Sequence, residues 1–426
     1  MPVRAADAAA GEDHRLDWWR AARFGLFVHW GPVSLKGTEI GWSRGAQVPA
    51  DEYDQLYRQF NPVRFKANEW VAVAKAAGMK YLVLTSKHHD GFCLWNTRYT
   101  DYNIMHTPFG RDVIQELAGA CRRQGITFCL YHSICDWHQP DYPLGSPGGR
   151  TRKAAPDLDR YNQYLKNQLA ELIHGYGPLG ILWFDGEWEV PWTQERGADL
   201  YRFVRHLQPS TIINNRVSKG RVGMEGVTRL SGPEAGDYDT PEQQIGRFND
   251  QRPWETCMTL CEQWAWKPED RMKSLADCLQ MLVRCAGGDG NLLLNVGPMP
   301  DGRIEPRQVE RLREMGQWLQ RHGSSLYGTR GGPFKPGQWG ASTRRGKTVY
   351  LHVFRWNGDT LALPPLALRV VSAKALTGGG VQVHQEAGSL TLHLAPERQD
   401  RIDTVIALRL DAPAGGLAPV DVPARP

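Results

Sequence analysis

The chain has 426 residues and a mass of 48.0 kDa, too long for one small domain and suited to a barrel-sized domain with a smaller companion. Hydrophobic residues at 41%, charged at 23% and aromatic at 10% exclude disorder, collagen and coiled coil. Fifty-one Lys and Arg against 46 Asp and Glu leave a formal charge of +5 with no basic run, which argues against a nucleic-acid partner.

Residues 1–17 carry alanines but no apolar core of signal-peptide type, and they are expected to be a flexible N-terminus. The compartment stays open between the cytoplasm and export with a leader removed, and so does the oligomeric state. No run of about 18 apolar residues exists to span a membrane. From residue 20 onward, short apolar runs alternate with amphipathic stretches. Strands are expected at 24–30 (FGLFVHW), 81–86 (YLVLTS), 127–133 (TFCLYHS), 180–185 (GILWFD), 211–215 (TIINN) and 291–297 (NLLLNVG). A helix is expected over 66–78. Another opens at Gly110 and runs through Ile114, Leu117 and Cys121. Asp157 caps a long one with apolar positions at Leu158, Tyr161, Leu165, Leu169, Leu172 and Tyr176. Further helical patterns fall at about 194–207, 269–285 and 306–322. Apolar strands separated by helices mean parallel strands buried on both faces, and this repetition points to a TIM-type (β/α)8-like barrel over 18–330. A doubly wound open sheet is the competitor, but its Gly-rich phosphate turn is missing after the first strand.

After Gly328 the period changes to two. TVYLHVFRW, LRVVSAKAL, VQVHQ, SLTLHL and DTVIALRL, separated by turn residues, read as a C-terminal antiparallel β-sandwich over 331–412. Residues 413–426 are expected to be a loose tail. Eight Cys without a CxxC pair read as reduced, packed thiols.

In such a barrel the active site gathers at the C-terminal strand ends. Those ends carry His29, with Glu39 and Trp42 in the segment beyond it, then His88 and His89, Tyr131 and His132, Trp183 and Asp185, and Arg216. Together they describe a polar pocket walled by indoles, and 16 Trp suit a flat ligand such as a sugar ring. Asp185 closes an apolar strand ahead of Gly186, so its carboxylate is expected at the mouth. A second carboxylate for acid/base work comes from the loop with Asp237, Asp239 and Glu242, or from Glu255 in WETC. Other readings are weaker. His132, Cys135 and His138 with His88 and His89 could hold a metal, but the first strand lacks the HxH of metal-dependent barrel hydrolases. The GxSxG at 41–45 lacks the strand and helix of a nucleophile elbow, and the Gly-rich 287–290 lacks GK[ST]. No metal and no cofactor is expected.

The segments WWRAARFGLFVHWGPVSL, EWVAVAKAAGMKYLVLTSKHHDGFCLW, ILWFDGEWE, WETCMTL and GGDGNLLLNVGPMPDGRI resemble the glycoside hydrolase family 29 α-L-fucosidases in the same order. The resemblance implies a retaining, exo-acting hydrolase of fucosylated oligosaccharides or glycoconjugates. It implies Asp185 as nucleophile and Glu242 as acid/base, with Glu255 in reserve. It places His29, Glu39, His88, His89, Trp183, Arg216 and Trp264 on the sugar. Two departures from the family pattern are visible: Glu39 is followed by IGW rather than directly by Trp42, and His132 stands where Tyr is common.

Overall fold

The computed structural model describes residues 14–423. Residues 1–13, most of the segment expected to be flexible, lie outside the described residues. His14–Leu16 form a tight turn leading into helix α1 (Asp17–Ala22). The strands that follow are β1 (Phe24–Val28), β2 (Tyr81–Lys87), β3 (Thr127–Ser133), β4 (Ile181–Asp185) and β5 (Ile212–Ile213). A small hairpin of β6 (Arg221–Val222) and β7 (Val227–Thr228) precedes β8 (Glu255–Thr259) and β9 (Asn291–Val296). The helices between them are α2 (Ala50–Tyr53), α3 (Ala67–Ala76), α4 (Val113–Gln124), α5 (Leu158–Tyr176), α6 (Gln194–Leu207) and α7 (Leu275–Gly287), with α8 (Pro306–His322) after β9.

Seven of these strands form one curled parallel sheet in the order β5-β4-β3-β2-β1-β9-β8, so the domain is an α/β barrel-like fold. Strand alternation divides the apolar residues between two clusters. Phe24, Leu26 and Val28 of β1 face the helices, whereas Phe27 joins Tyr81, Tyr131 and Trp183 inside the curl. A Cβ on Gly25 would stand 2.2 Å from the Tyr81 ring, so this inward position takes only glycine. Between the edges β5 and β8 runs an irregular segment that bonds to both. Asp237 N–H donates to the Ile213 carbonyl at 2.7 Å and Cys257 N–H to the Pro241 carbonyl at 3.0 Å. The pairings Asn214 with Tyr238, and Glu242 with Cys257, are parallel bridges.

The helix starts follow their caps. Asp112, Asp157 and Thr193 each accept a backbone N–H of the first turn. The helix expected over about 269–285 starts later, at Leu275. Ser274 and Asp277 form a reciprocal capping box there, and Glu269 sits at φ 54°, outside helical geometry. Among the described residues no helix is long and apolar enough to cross a membrane.

Beyond β10 (Arg330–Gly331) come β11 (Gly340–Arg345), β12 (Thr348–Val353), β13 (Thr360–Leu363), β14 (Val370–Ala375), β15 (Gln382–Gln385), β16 (Leu390–His393) and β17 (Thr404–Leu410). They form two antiparallel sheets, β10-β11-β12-β17-β14 and β13-β16-β15, sharing an apolar cluster that includes Leu351, Leu361, Leu392 and Leu408. Of the tail expected to be loose, the described part (413–423) packs against this domain. Ala414 and Leu417 are buried in that cluster, and Val420 N–H donates to the Pro333 carbonyl at 2.8 Å. At the junction with the barrel, Asp289 binds Arg23 at 2.6 Å, Arg330 and the Gly331 amide.

Candidate active site

Asp185 is the last residue of β4. The chain turns away at Gly186 (φ 101°), where a Cβ would lie 2.8 Å from Cys135 Sγ. Two residues earlier on the same inward face stands Trp183. These side chains line a cavity of about 210 Å³ at the C-terminal strand ends, together with His29, His88, Tyr131, Arg216, Glu242 and Trp264. Its size falls below the roughly 300–1,000 Å³ of drug-sized sites and suits a small ligand.

Arg216 organises the charges. It follows β5 in a short 3-10 turn (Asn215–Val217), and its guanidinium lies 4.5 Å from the Trp183 ring centroid. Nε donates to Thr240 Oγ1 at 2.9 Å, Nη1 to Asp185 Oδ1 at 2.8 Å and Nη2 to Glu242 Oε2 at 2.7 Å. One planar fork therefore bonds both carboxylates at once and holds them side by side. The Tyr131 hydroxyl donates to Asp185 Oδ2 at 3.1 Å, and His89 Nε2 lies 3.5 Å from the same oxygen. Burial pushes the Asp185 carboxyl upward, but the Arg216 guanidinium outweighs it and holds the group below its ordinary value. Asp185 is therefore an anion at neutral pH.

The imidazoles are neutral. Burial lowers His29 to about 3 and His89 to about 4, and it lowers His88 as well. Their tautomers follow from the hydrogen-bond network. Asn295 donates to the Trp264 carbonyl at 2.7 Å, so its Oδ1 accepts from His29 Nδ1–H at 2.6 Å. Ser133 Oγ donates to the Cys135 carbonyl at 2.6 Å and accepts from His89 Nδ1–H at 2.7 Å. Both residues are left with an Nε2 lone pair. That of His89 has no hydrogen-bond partner among the described residues and lies 3.5 Å from Asp185 Oδ2. Such atoms accept hydrogen bonds from hydroxyls.

A sequence profile of the family described as Alpha-L-fucosidase matches residues 5–324. The chain belongs to the α-L-fucosidase family, glycoside hydrolase family 29. Among solved fucosidases, isoenzyme 1 from Paenibacillus thiaminolyticus is 34% identical with a TM-score of 0.84, over 94% of this chain and 99% of that one. An enzyme from Bacteroides thetaiotaomicron, trapped as a covalent intermediate with 2-fluoro-fucosyl fluoride in a Glu-to-Gln mutant, is 29% identical. Its TM-score is 0.83 over 97% of this chain and all of that one. The tissue α-L-fucosidase of Mus musculus is 30% identical over 78% of this chain and 74% of its own length.

Several residues expected at the sugar stand elsewhere. His132 points out of the barrel, hydrogen-bonded to Ser86 Oγ at 2.9 Å and beside the Trp95 ring. The alternation of β3 turns Tyr131 inward and its neighbour outward. Glu39 binds the loop at 264–265, with Oε2 accepting from Trp264 N–H at 2.9 Å and Oε1 from Ala265 N–H at 3.0 Å. It acts as a clamp under Trp264. Glu255 begins β8 and therefore lies at the N-terminal end of the barrel, where it accepts from Tyr81 at 2.5 Å and Trp19 at 3.1 Å. Trp42 lines the mouth rather than the depth of the cavity. Among the described residues no group of three or more His, Cys, Asp or Glu is placed to hold a metal ion.

Phe27, Cys257, Trp188, Arg221 and Met224 also line the cavity and were not singled out from the sequence. Phe27 and Cys257 were recoverable, being two positions from His29 and Glu255 on inward-facing strand positions. Arg221 and Met224 sit on the β6–β7 hairpin, whose position no local pattern encodes.

Proposed function

We propose that this chain is a retaining, exo-acting α-L-fucosidase that releases terminal α-L-fucosyl units from oligosaccharides or glycoconjugates. The observation that carries the reading is the single Arg216 fork holding Asp185 and Glu242 together. Retaining glycosidases place their two carboxyls about 5–5.5 Å apart, close enough for one to attack while the other protonates. The Asp185 carboxylate attacks C1 and the C1–O bond breaks, with Glu242 giving its proton to the departing oxygen. The product of this step is a fucosyl ester. Glu242 then takes a proton from water, whose oxygen displaces Asp185 from C1 and restores both groups. Glu242 must let go of Arg216 Nη2 to act as an acid, and its place on an irregular segment favours that movement.

His29 and His89 Nε2 accept from sugar hydroxyls, His88 lies between them, and Trp183 and Trp264 cover apolar faces of the ring. A cavity closed beneath by Trp183 and Cys257 suits a chain end. The segment between β5 and β8 is read as the eighth stave of a closed (β/α)8-like barrel. The two C-terminal sheets around one apolar cluster are read as a β-sandwich beginning near residue 331. The test is to trap the ester with 2-deoxy-2-fluoro-fucosyl fluoride and map the labelled peptide. Label on Asp185 and release of the α-anomer are expected; label on another peptide or release of the β-anomer overturns the reading.

A further inference from the structure

Glu187 stands two residues past Asp185, on the loop that leaves β4, and is 3% exposed. Its Oε1 accepts from Arg221 Nε at 2.7 Å, while Oε2 has no hydrogen-bond partner among the described residues. Arg221 lines the cavity and Glu187 does not. A buried ion pair is costly to form, and breaking it strands a charge, so its use is to hold one arrangement among several.

What this pair holds is the β6–β7 hairpin. Only two residue pairs join its strands, Arg221 with Thr228 and Val222 with Val227, and an isolated hairpin of that size does not stand alone. Arg221 opens it, and its Nη1 also donates to the Gly223 carbonyl at 2.6 Å. Asn215 Nδ2 adds a second tie, to the Gly226 carbonyl at 2.6 Å. The hairpin turn in its place grips the segment that carries Glu242. The Met224 carbonyl accepts from Glu242 N–H at 3.0 Å, and the Gly226 carbonyl accepts from Thr240 N–H at 3.1 Å. At Gly226 (φ 68°) a Cβ would stand 2.0 Å from the Thr240 carbonyl oxygen, so the two backbones are in contact. Strand β8 grips the other side, with Cys257 N–H on the Pro241 carbonyl and Gln243 N–H on the Cys257 carbonyl, both at 3.0 Å. The Glu242 backbone is thereby fixed, and departure from Arg216 is left to its side chain.

On the proposed function, on which this inference rests, Asp185 and Glu242 must keep their relative placement through two chemical steps. We propose that Glu187, acting through Arg221 and the β6–β7 hairpin, is a positioning residue that sets the acid/base Glu242 against the nucleophile. The strut and the nucleophile leave the same strand two residues apart, so the acid is aligned from the nucleophile's own loop.

The test compares kcat/KM on an α-fucosyl disaccharide, whose leaving group needs a proton, with that on α-L-fucosyl fluoride, whose leaving group does not. For Glu187→Gln, and separately for Arg221→Gln, the disaccharide value is expected to fall about tenfold or more relative to the fluoride. The double variant should lose no more than the worse single one, because both changes cut the same connection. Gly226→Ala, which pushes the hairpin off Thr240 from the other end, should show the same dependence on leaving group. Binding of a monosaccharide-sized iminosugar inhibitor reports whether the cavity survives each substitution, and a variant that loses it is judged by the others. Equal losses on the two substrates, no loss on either, or additive losses in the double variant overturn the positioning role. If Glu242→Gln itself shows no dependence on leaving group, the acid assignment in the proposed function is what fails.

Discussion

Asp185 and Glu255 are both buried carboxylates inside the same barrel, at opposite ends of it, with Trp183 and Cys257 in the layer between. At the upper end, Asp185 meets a guanidinium at 2.8 Å, a phenol and an imidazole, and its carboxyl is held low. At the lower end, Glu255 meets only neutral donors from Tyr81 and Trp19, with Trp183 and Tyr238 on its far side. Burial dominates there and raises it to about 7. Depth alone therefore does not decide whether a carboxyl is ionised. A buried full charge of opposite sign keeps it so, because it offsets desolvation where hydrogen-bond dipoles do so only in part.

The strongest way to break this contrast is Asp185→Ala. Turnover is expected to fall about 10,000-fold or more, since removing one member of a concerted unit removes most of its effect. Added azide should restore part of the rate and yield a glycosyl azide of inverted configuration. Glu242→Gln should lose about 100-fold or more on a fucosyl disaccharide and far less on fucosyl fluoride, because only a poor leaving group needs the proton. Rates on the two substrates measure this directly, and equal losses would remove Glu242 from the role.

Glu255→Gln sharpens the contrast through stability rather than chemistry. Activity should stay within about tenfold of the parent with no dependence on leaving group, as expected for a group outside the cavity. The folded value of Glu255, about 7, exceeds the ordinary 4.5, so its neutral form favours the fold. That contribution is present at low pH and is lost as pH rises from about 4.5 to 7, by roughly 1 kcal/mol per pH unit. In urea unfolding across that range, the difference in stability between parent and variant should follow this slope. His89 works in the opposite direction. Its folded value of about 4 lies below the ordinary 6.5, so stability is full above pH 6.5 and falls as pH drops toward 4. The His89 share of the loss is about 1 kcal/mol between pH 6.5 and 5.5, and His89→Gln should reduce the loss by that amount in the same unfolding series, leaving the shares of His29 and His88.

Much of this was legible from residue order. The apolar strands, the capped helices at 157–176 and 194–207 and the Asp before Gly186 followed from periodicity and turn chemistry. The strands β11 (GASTRR) and β13 escaped, because neither has an apolar run long enough to show period two. His132 was misplaced although the information was present. Once Tyr131 is inward, a strand sends the next side chain outward.

The amino-acid order by itself determined which short runs become strands and that Asp185 closes one of them, because both depend on interactions within a few residues. Tertiary structure alone decided which carboxylate stands beside Asp185. Glu242 and Glu255 are alike as residues, and either could be the partner on sequence spacing. The segment from Asp237 to Gln243, lodged between β5 and β8, brings Glu242 to the Arg216 fork. The same bonding holds Glu255 at the far end of the barrel, because register along a β-ladder fixes height and no local preference encodes that register.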